Sequence, residues 1–319
     1  MGLVDLYGNT MLIPNYKYRS GRLLSYILLE VTQSCNLRCR HCYINAAFNK
    51  RNNLELNEIK KVLREAADLG VVGIGITGGE PFIRKDIHEI LKYAADLGLY
   101  VQIFTNGTLL TKYDIQMLAK LGEYLDRMRV SLYGTRDIHD YVTGVRGSYD
   151  LTVRNIKLML RENLPVAINF TITKPIMDKL DEAFASIKST GVEDIVYGII
   201  FPQGRASENN DLLFEFSDLI HLYKKLYKMI VKDNIINYSN IMLDINNISR
   251  NMEKMKILSK EYRVPVEGLI WLGSCGAGAS FLYINTNGDV YPCNKIYSIK
   301  LGNIKQILRS LASSRAMVS

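Results

Sequence analysis

Residues 26–43 read Tyr26-Ile-Leu-Leu-Glu30-Val-Thr-Gln-Ser-Cys35-Asn-Leu-Arg-Cys39-Arg-His-Cys42-Tyr43. Ile27–Thr32 is an apolar run of strand length, and it feeds directly into three cysteines spaced C-x3-C-x2-C. Thiolates this close can face a single centre, and such soft ligands suit zinc or an iron–sulfur cluster. Structural zinc commonly takes four ligands in pairs. His41 would supply a fourth on paper, but it is wedged between Arg40 and Cys42, where simultaneous chelation is strained. Four irons on three thiolates leave one iron open for a substrate or cofactor.

Working outward, apolar runs alternate with helical patterns. Strands are predicted at Ile27–Thr32, Gly73–Thr77, Tyr100–Thr105, Arg127–Tyr133, Val166–Thr173 and Asp194–Phe201. Helices are predicted at Glu55–Leu69, Asp86–Leu97, Lys112–Leu121, Ser148–Glu162, Met177–Thr190 (opened by Pro175) and Leu212–Lys232. Six β-α units in a row imply an α/β fold with a parallel sheet and helices outside it. Six units instead of eight predict a partial (β/α)6 TIM-like barrel, whose site lies at the C-terminal strand ends.

The chemical motifs fall at those ends. Gly78-Gly79-Glu80-Pro81 follows the second strand, 36 residues beyond Cys42. Its glycines let backbone carbonyls approach a ligand closely and its proline fixes the turn. With Glu80 they make an acceptor-rich corner suited to an ammonium group; the bland reading is a plain turn. Asn106-Gly107 ends the third strand, and Ser131-Leu-Tyr-Gly134 the fourth.

Together these residues resemble the radical S-adenosylmethionine (SAM) superfamily. The resemblance spans roughly residues 25–310. It implies a 4Fe-4S cluster on Cys35, Cys39 and Cys42, with SAM chelating the open iron. It implies reductive SAM cleavage and hydrogen abstraction from a substrate. The 78–81 motif is then the corner for the SAM ammonium. Asn106 is expected near the ribose, with Ser131 and Arg146 at the SAM carboxylate. The family's aromatic beside the last Cys is His41 here, with Tyr43 following. Relatives often have Ser-Leu-Asp-Gly where Tyr133 stands, so a carboxylate is missing. No catalytic residue beyond the cofactor contacts is assigned. His88, His139 and His221 read as surface or packing residues.

The C-terminal segment has its own signal. Cys275 and Cys293 flank Phe281–Ile284, a turn at Asn285-Thr-Asn-Gly288-Asp289 and Val290-Tyr-Pro, in the pattern C-x12-G-x4-C. An Asn-Gly-Asp turn between short strands is a hairpin signal. The pattern resembles the opening of the SPASM or twitch extension, which carries auxiliary iron–sulfur clusters in maturases. Gly204-Arg205-Ala206 resembles the same subgroup. Two thiolates are too few for a second four-iron cluster held by protein alone. A truncated chain, a lost cluster, other ligands, two incidental thiols and a disulfide all stay open. The expected organisation is an N-terminal extension over 1–25, the core barrel over 26–233, a connecting region over 234–268 and an incomplete SPASM/twitch-like extension over 269–319.

Composition is that of an ordinary globular protein. The 319 residues are 48% hydrophobic and 23% charged, with a net charge of +8, which excludes disordered and collagen-like classes. Basic clusters such as Lys60–Lys61–Arg64 and Lys224–Lys225–Lys228 read as solvated helix faces. The other readings are a nucleic-acid groove, which no motif supports, and a dock for an acidic redox partner. Five Cys, three of them crowded, fit a reducing compartment. No apolar run reaches membrane length and no secretory signal is visible, so a cytoplasmic location is expected. The expected partners are a low-potential electron donor such as ferredoxin or flavodoxin and a peptide or protein substrate. The alternatives are a small-molecule enzyme like the GTP cyclase of molybdenum-cofactor synthesis, or a non-catalytic metal-binding scaffold.

Overall fold

The computed structural model describes residues 24–50, 53–231, 241–242, 277–278 and 280–304. Strands β1 (Tyr26–Thr32), β2 (Gly73–Gly78), β3 (Tyr100–Thr105), β4 (Leu125–Ser131), β5 (Val166–Ile172) and β6 (Asp194–Ile199) lie side by side in chain order, every pair parallel. Parallel strands covered on both faces read as continuous apolar runs. Accordingly, Ile27 to Thr32 are all buried in β1. The alternation of Leu28 and Leu29 into different clusters divides the lumen from the helix-covered face.

Helices α1 (Leu56–Asp68), α2 (Ile87–Asp96), α3 (Lys112–Ala119), α4 (Arg136–Thr143), α5 (Ser148–Arg161), α6 (Lys174–Met177), α7 (Leu180–Lys188) and α8 (Phe216–Val231) fill the crossovers. Capping boxes open two of them. Glu55 N–H donates to Glu58 at the start of α1, and Thr111 and Asp114 exchange bonds at the start of α3. Asp114 also meets His88 at 2.7 Å, tying α3 to α2. Lys60 of α1 pairs with Glu89 of α2 at 2.5 Å, so part of one basic cluster is an inter-helix contact. His221 is exposed.

Four differences from the sequence reading have physical causes or simple locations. The predicted helix Met177–Thr190 is two helices, because the chain leaves helical geometry at Lys179. Helix α4 was not foreseen; it is one short amphipathic segment, closed by Gly144 at φ +69°. The last predicted helix begins at Phe216, with Asn210–Leu212 forming a separate 3-10 turn. Inside the expected connecting region, Ile241–Met242 forms β7 beside β6. The rest of that region, residues 1–23 of the N-terminal extension, and Cys275 lie outside the described residues.

The C-terminal hairpin is not a separate appendage. Its first strand, β8 (Phe281–Ile284), pairs in parallel with β1, Tyr26 opposite Phe281 and Leu29 opposite Ile284. Strand β9 (Asp289–Tyr291) returns antiparallel, followed by β10 (Gly302–Asn303). The sheet order is therefore β10-β9-β8-β1-β2-β3-β4-β5-β6-β7, a partial barrel whose β1 edge is covered by the tail of the chain. Tyr283 of β8 donates its hydroxyl to the buried carboxylate of Glu30 in β1 and accepts from Tyr297 at 3.2 Å. Burial pushes the Glu30 carboxyl up. Among the described residues, no helix is long and apolar enough to cross a membrane.

Candidate active site at the C-terminal strand ends

A cavity of about 320 Å³ lies over these strand ends and runs into the lumen. Cys35, Cys39 and Cys42 all line it. Their loop leaves β1 and is held from three sides. From β2, the Gly79 and Glu80 N–H groups donate to Thr32 O and Ser34 O at 2.7 and 2.8 Å. A Cβ on Gly79 would stand 2.2 Å from the Ser34 carbonyl oxygen, so this close approach requires glycine. From α4, the carbonyls of Thr143 and Val142 accept from Arg38 and Arg40 N–H at 3.1 and 2.8 Å.

The third side is the segment after β6. Arg205 N–H donates to Cys42 O at 3.0 Å, its Nε to Cys39 O at 2.9 Å and its Nη1 to Ala46 O at 2.7 Å. Asn209 donates to Arg40 O at 3.3 Å and to Arg205 O at 2.8 Å. Arg40 returns two bonds to Asn209, pairs with Asp211 at 2.9 Å and lies over the Tyr141 ring.

The donor set fits a thiolate-held cluster. Leu37 N–H points at Cys35 Sγ at 3.4 Å, Ala46 N–H at Cys42 Sγ at 3.3 Å and Asn106 Nδ2 at Cys35 Sγ at 3.9 Å. Such donors stabilise sulfur-centred negative charge. Without a cation at the centre, burial pushes the Cys35 thiol up to about 12, and Glu80 and Cys42 add to the rise. Burial, then Cys42 and Cys35, push Cys39 up, while Arg205 opposes them. A positively charged body at the centre would offset that rise for Cys35 and Cys39. Among the described residues, no group of three or more His, Cys, Asp or Glu side chains is gathered closely enough for one metal ion. As placed, the thiols frame a cavity wall rather than close on one point.

The other sequence-predicted residues separate into two sets. Gly78, Gly79, Asn106, Ser131 and Tyr43 line the cavity. Glu80 and Pro81 stand behind it. The Glu80 carboxylate is fully buried and accepts from Phe82 N–H at 3.1 Å, Thr105 Oγ1 at 2.8 Å and Asn106 N–H at 2.7 Å. These bonds make it a strut between β2 and β3. Burial pushes it up to about 7, against those three bonds. Asn106 donates its amide across to Asn36 of the cysteine loop at 2.9 Å and accepts from Thr108 N–H of its own loop at 2.9 Å. Arg146 is exposed and outside the cavity lining, so the structure does not bring it to Ser131.

Four further residues line the cavity, and two of them, Asn294 and Lys295, were not singled out from the sequence. His139 is buried, as a packing residue should be, yet it also lines the cavity, accepting Tyr133 N–H on Nδ1 at 3.2 Å. His41 meets the Tyr133 hydroxyl at 3.1 Å, and burial pushes its ring down to about 4, with Arg205 adding to the effect. Asn294 and Lys295, in the loop following Cys293, reach the same cavity; Lys295 Nζ lies 5.0 Å from the Phe201 ring centre. Their adjacency to Cys293 was the one available signal. Cys293 itself is partly buried and faces Asn294 Oδ1 at 3.4 Å.

Comparison with known proteins agrees with this geometry. The model of the Radical SAM superfamily matches residues 29–204, and that of an iron–sulfur cluster-binding domain, SPASM, matches residues 275–317. The AdoMet-dependent heme synthase of Methanosarcina barkeri is 28% identical over 88% of this chain and 79% of its own. The antilisterial bacteriocin subtilosin biosynthesis protein AlbA of Bacillus subtilis is 25% identical over 86% of this chain and 56% of its own. The crystal structure of Streptococcus suis SuiB bound to precursor peptide SuiA superposes with a TM-score of 0.65 at 19% identity. That superposition covers 90% of this chain but 64% of SuiB, so this chain spans less than two thirds of SuiB. Because the first match takes in more than half of the residues and falls on the strands that build the cavity, the chain belongs to the radical SAM superfamily.

Proposed function

We propose that the protein is a radical SAM maturase that modifies a peptide or protein side chain. Cys35, Cys39 and Cys42 hold the 4Fe-4S cluster in this reading. When reduced, the cluster supplies the electron that breaks SAM and starts hydrogen abstraction from the substrate. The chain's own residues bind and orient. The Gly78 and Gly79 backbone, brought close by the glycines, accepts the SAM ammonium. Ser131 faces the SAM carboxylate and Asn106 the ribose. Tyr43, next to Cys42, shares the cavity wall with Asn294 of the C-terminal extension.

The observation that carries the peptide reading is the position of that extension. Docked on β1, it places Asn294 and Lys295 in the wall of the cavity that the cysteines line. AlbA is a bacteriocin biosynthesis protein, and SuiB was crystallised with a precursor peptide. Cys275 and Cys293 contribute to an auxiliary cluster in the extension. We place the protein in the cytoplasm, where a ferredoxin or flavodoxin provides electrons. The heme synthase match, which spans more of its relative than the AlbA match does, favours a second reading: a small-molecule cofactor precursor as substrate.

The test is anaerobic incubation of the reconstituted protein with SAM and a strong reductant. Release of methionine and 5′-deoxyadenosine supports the chemistry. Mass change of a candidate peptide, set against a porphyrin precursor, separates the two substrate readings. No SAM cleavage by cluster-loaded protein overturns both.

A further inference from the structure

Three carbonyls of the cysteine loop end on one residue. Cys39 O, Cys42 O and Ala46 O accept from Arg205, the first and last through its guanidinium and the middle one through its backbone. Ala46 is thereby held at both ends, its N–H on Cys42 Sγ and its carbonyl on Arg205. Gly204 makes the approach possible. It adopts φ +61°, and a Cβ there would lie 2.5 Å from both Cys42 O and Tyr43 O. The strap is itself tied down, since Asn209 donates to Arg205 O and to Arg40 O.

A planar guanidinium can bond two carbonyls in fixed directions, and a lysine ammonium is a compact point charge that cannot copy that fork. The loop's carbonyls turn to Arg205 while the N–H groups of Leu37 and Ala46 turn toward sulfur. Fixed charge and hydrogen bonds beside a cluster set its potential. A cation favours the reduced, more negative state.

We propose that Arg205 is a positioning residue for the cluster. Its fork fixes the spacing of Cys39 and Cys42, and its charge raises the potential at which the cluster takes one electron from a low-potential donor. No proton moves in that step. The inference rests on the three cysteines holding the cluster.

The test uses the full chain, reconstituted anaerobically, as wild type, R205Q and R205K. Iron and sulfide are counted. The midpoint potential is followed by electron paramagnetic resonance on the signal that changes when SAM is added. Iron loss to a chelator is timed. R205Q is expected to shift the midpoint to a more negative value. R205K is expected to hold the midpoint near wild type but to lose iron several-fold faster. Wild-type midpoint and wild-type iron loss in R205Q overturn the assignment. If R205Q takes up no iron, N209A decides, because it frees the strap but keeps the charge: faster iron loss at an unchanged midpoint supports the proposal, and unchanged iron loss overturns it. Wild-type protein that takes up no iron refutes the underlying cluster assignment instead.

Discussion

The carboxylate of Glu80 accepts the backbone N–H of Asn106 at 2.7 Å. This bond joins the end of β2 to the end of β3 beneath the cavity floor. Glu80→Ala leaves three donors, two of them buried, without this acceptor, and each buried unsatisfied group costs about 1–3 kcal/mol. The expected result is a fall in stability on the order of 3 kcal/mol, measured by denaturant unfolding of the apoprotein. SAM affinity should fall at least about tenfold, or ~1.4 kcal/mol, by displacement of the Gly79 and Asn106 loops. Unchanged stability would show that the strut contributes nothing.

The same carboxyl gives a pH dependence. Burial raises it from 4.5 to about 7. A carboxyl raised on folding stabilises the fold in its protonated form, fully so below pH 4.5, and that contribution is lost as pH rises through 7. Glu80→Gln cannot titrate. The stability of wild type relative to this variant should therefore drop by on the order of 3 kcal/mol between those limits. Parallel curves for the two proteins would remove the shift.

Replacing Cys35, Cys39 and Cys42 together by Ala should abolish SAM cleavage and the SAM-sensitive signal. If Cys275 and Cys293 serve the extension as proposed, that triple variant keeps some iron and sulfide. Adding Cys293→Ala should then leave it colourless. Metal analysis and visible absorption read both steps, and stoichiometric zinc without iron in wild type contradicts the scheme.

Gly204→Ala forces a Cβ into the backbone of Cys42 and Tyr43, and alanine resists the φ of +61°. We expect slower cluster uptake and faster iron loss with the barrel still folded, checked by iron counting beside circular dichroism. Iron retention equal to wild type would mean the strap has room to move.

Much of this was legible in the sequence because it is local. Each β-α unit announces itself within about 30 residues, and Cys35, Cys39 and Cys42 sit on one loop. The glycines of the 78–81 motif were readable for the same reason. The bonds Glu80 accepts were not readable, because its partners Thr105 and Asn106 lie a whole unit downstream. Pairing of β8 with β1 left no local trace at all. Its bond from Ser25 to Ser280 spans 255 positions, and nothing in either segment names the other. Helix α4 was hidden by brevity, with Gly134 before it and Gly144 at its end.

The tail strand on β1 also sets an order of assembly. On the ribosome, β1 and the cysteine loop emerge early, while Phe281–Ile284 arrive some 250 residues later. Until then the outer edge of β1 has no neighbour from the tail, and Asn294 and Lys295 are not yet in the cavity wall. A contact closed over so long a span forms late. The nascent barrel thus passes through a stage in which its cysteines are synthesised but that wall is unbuilt.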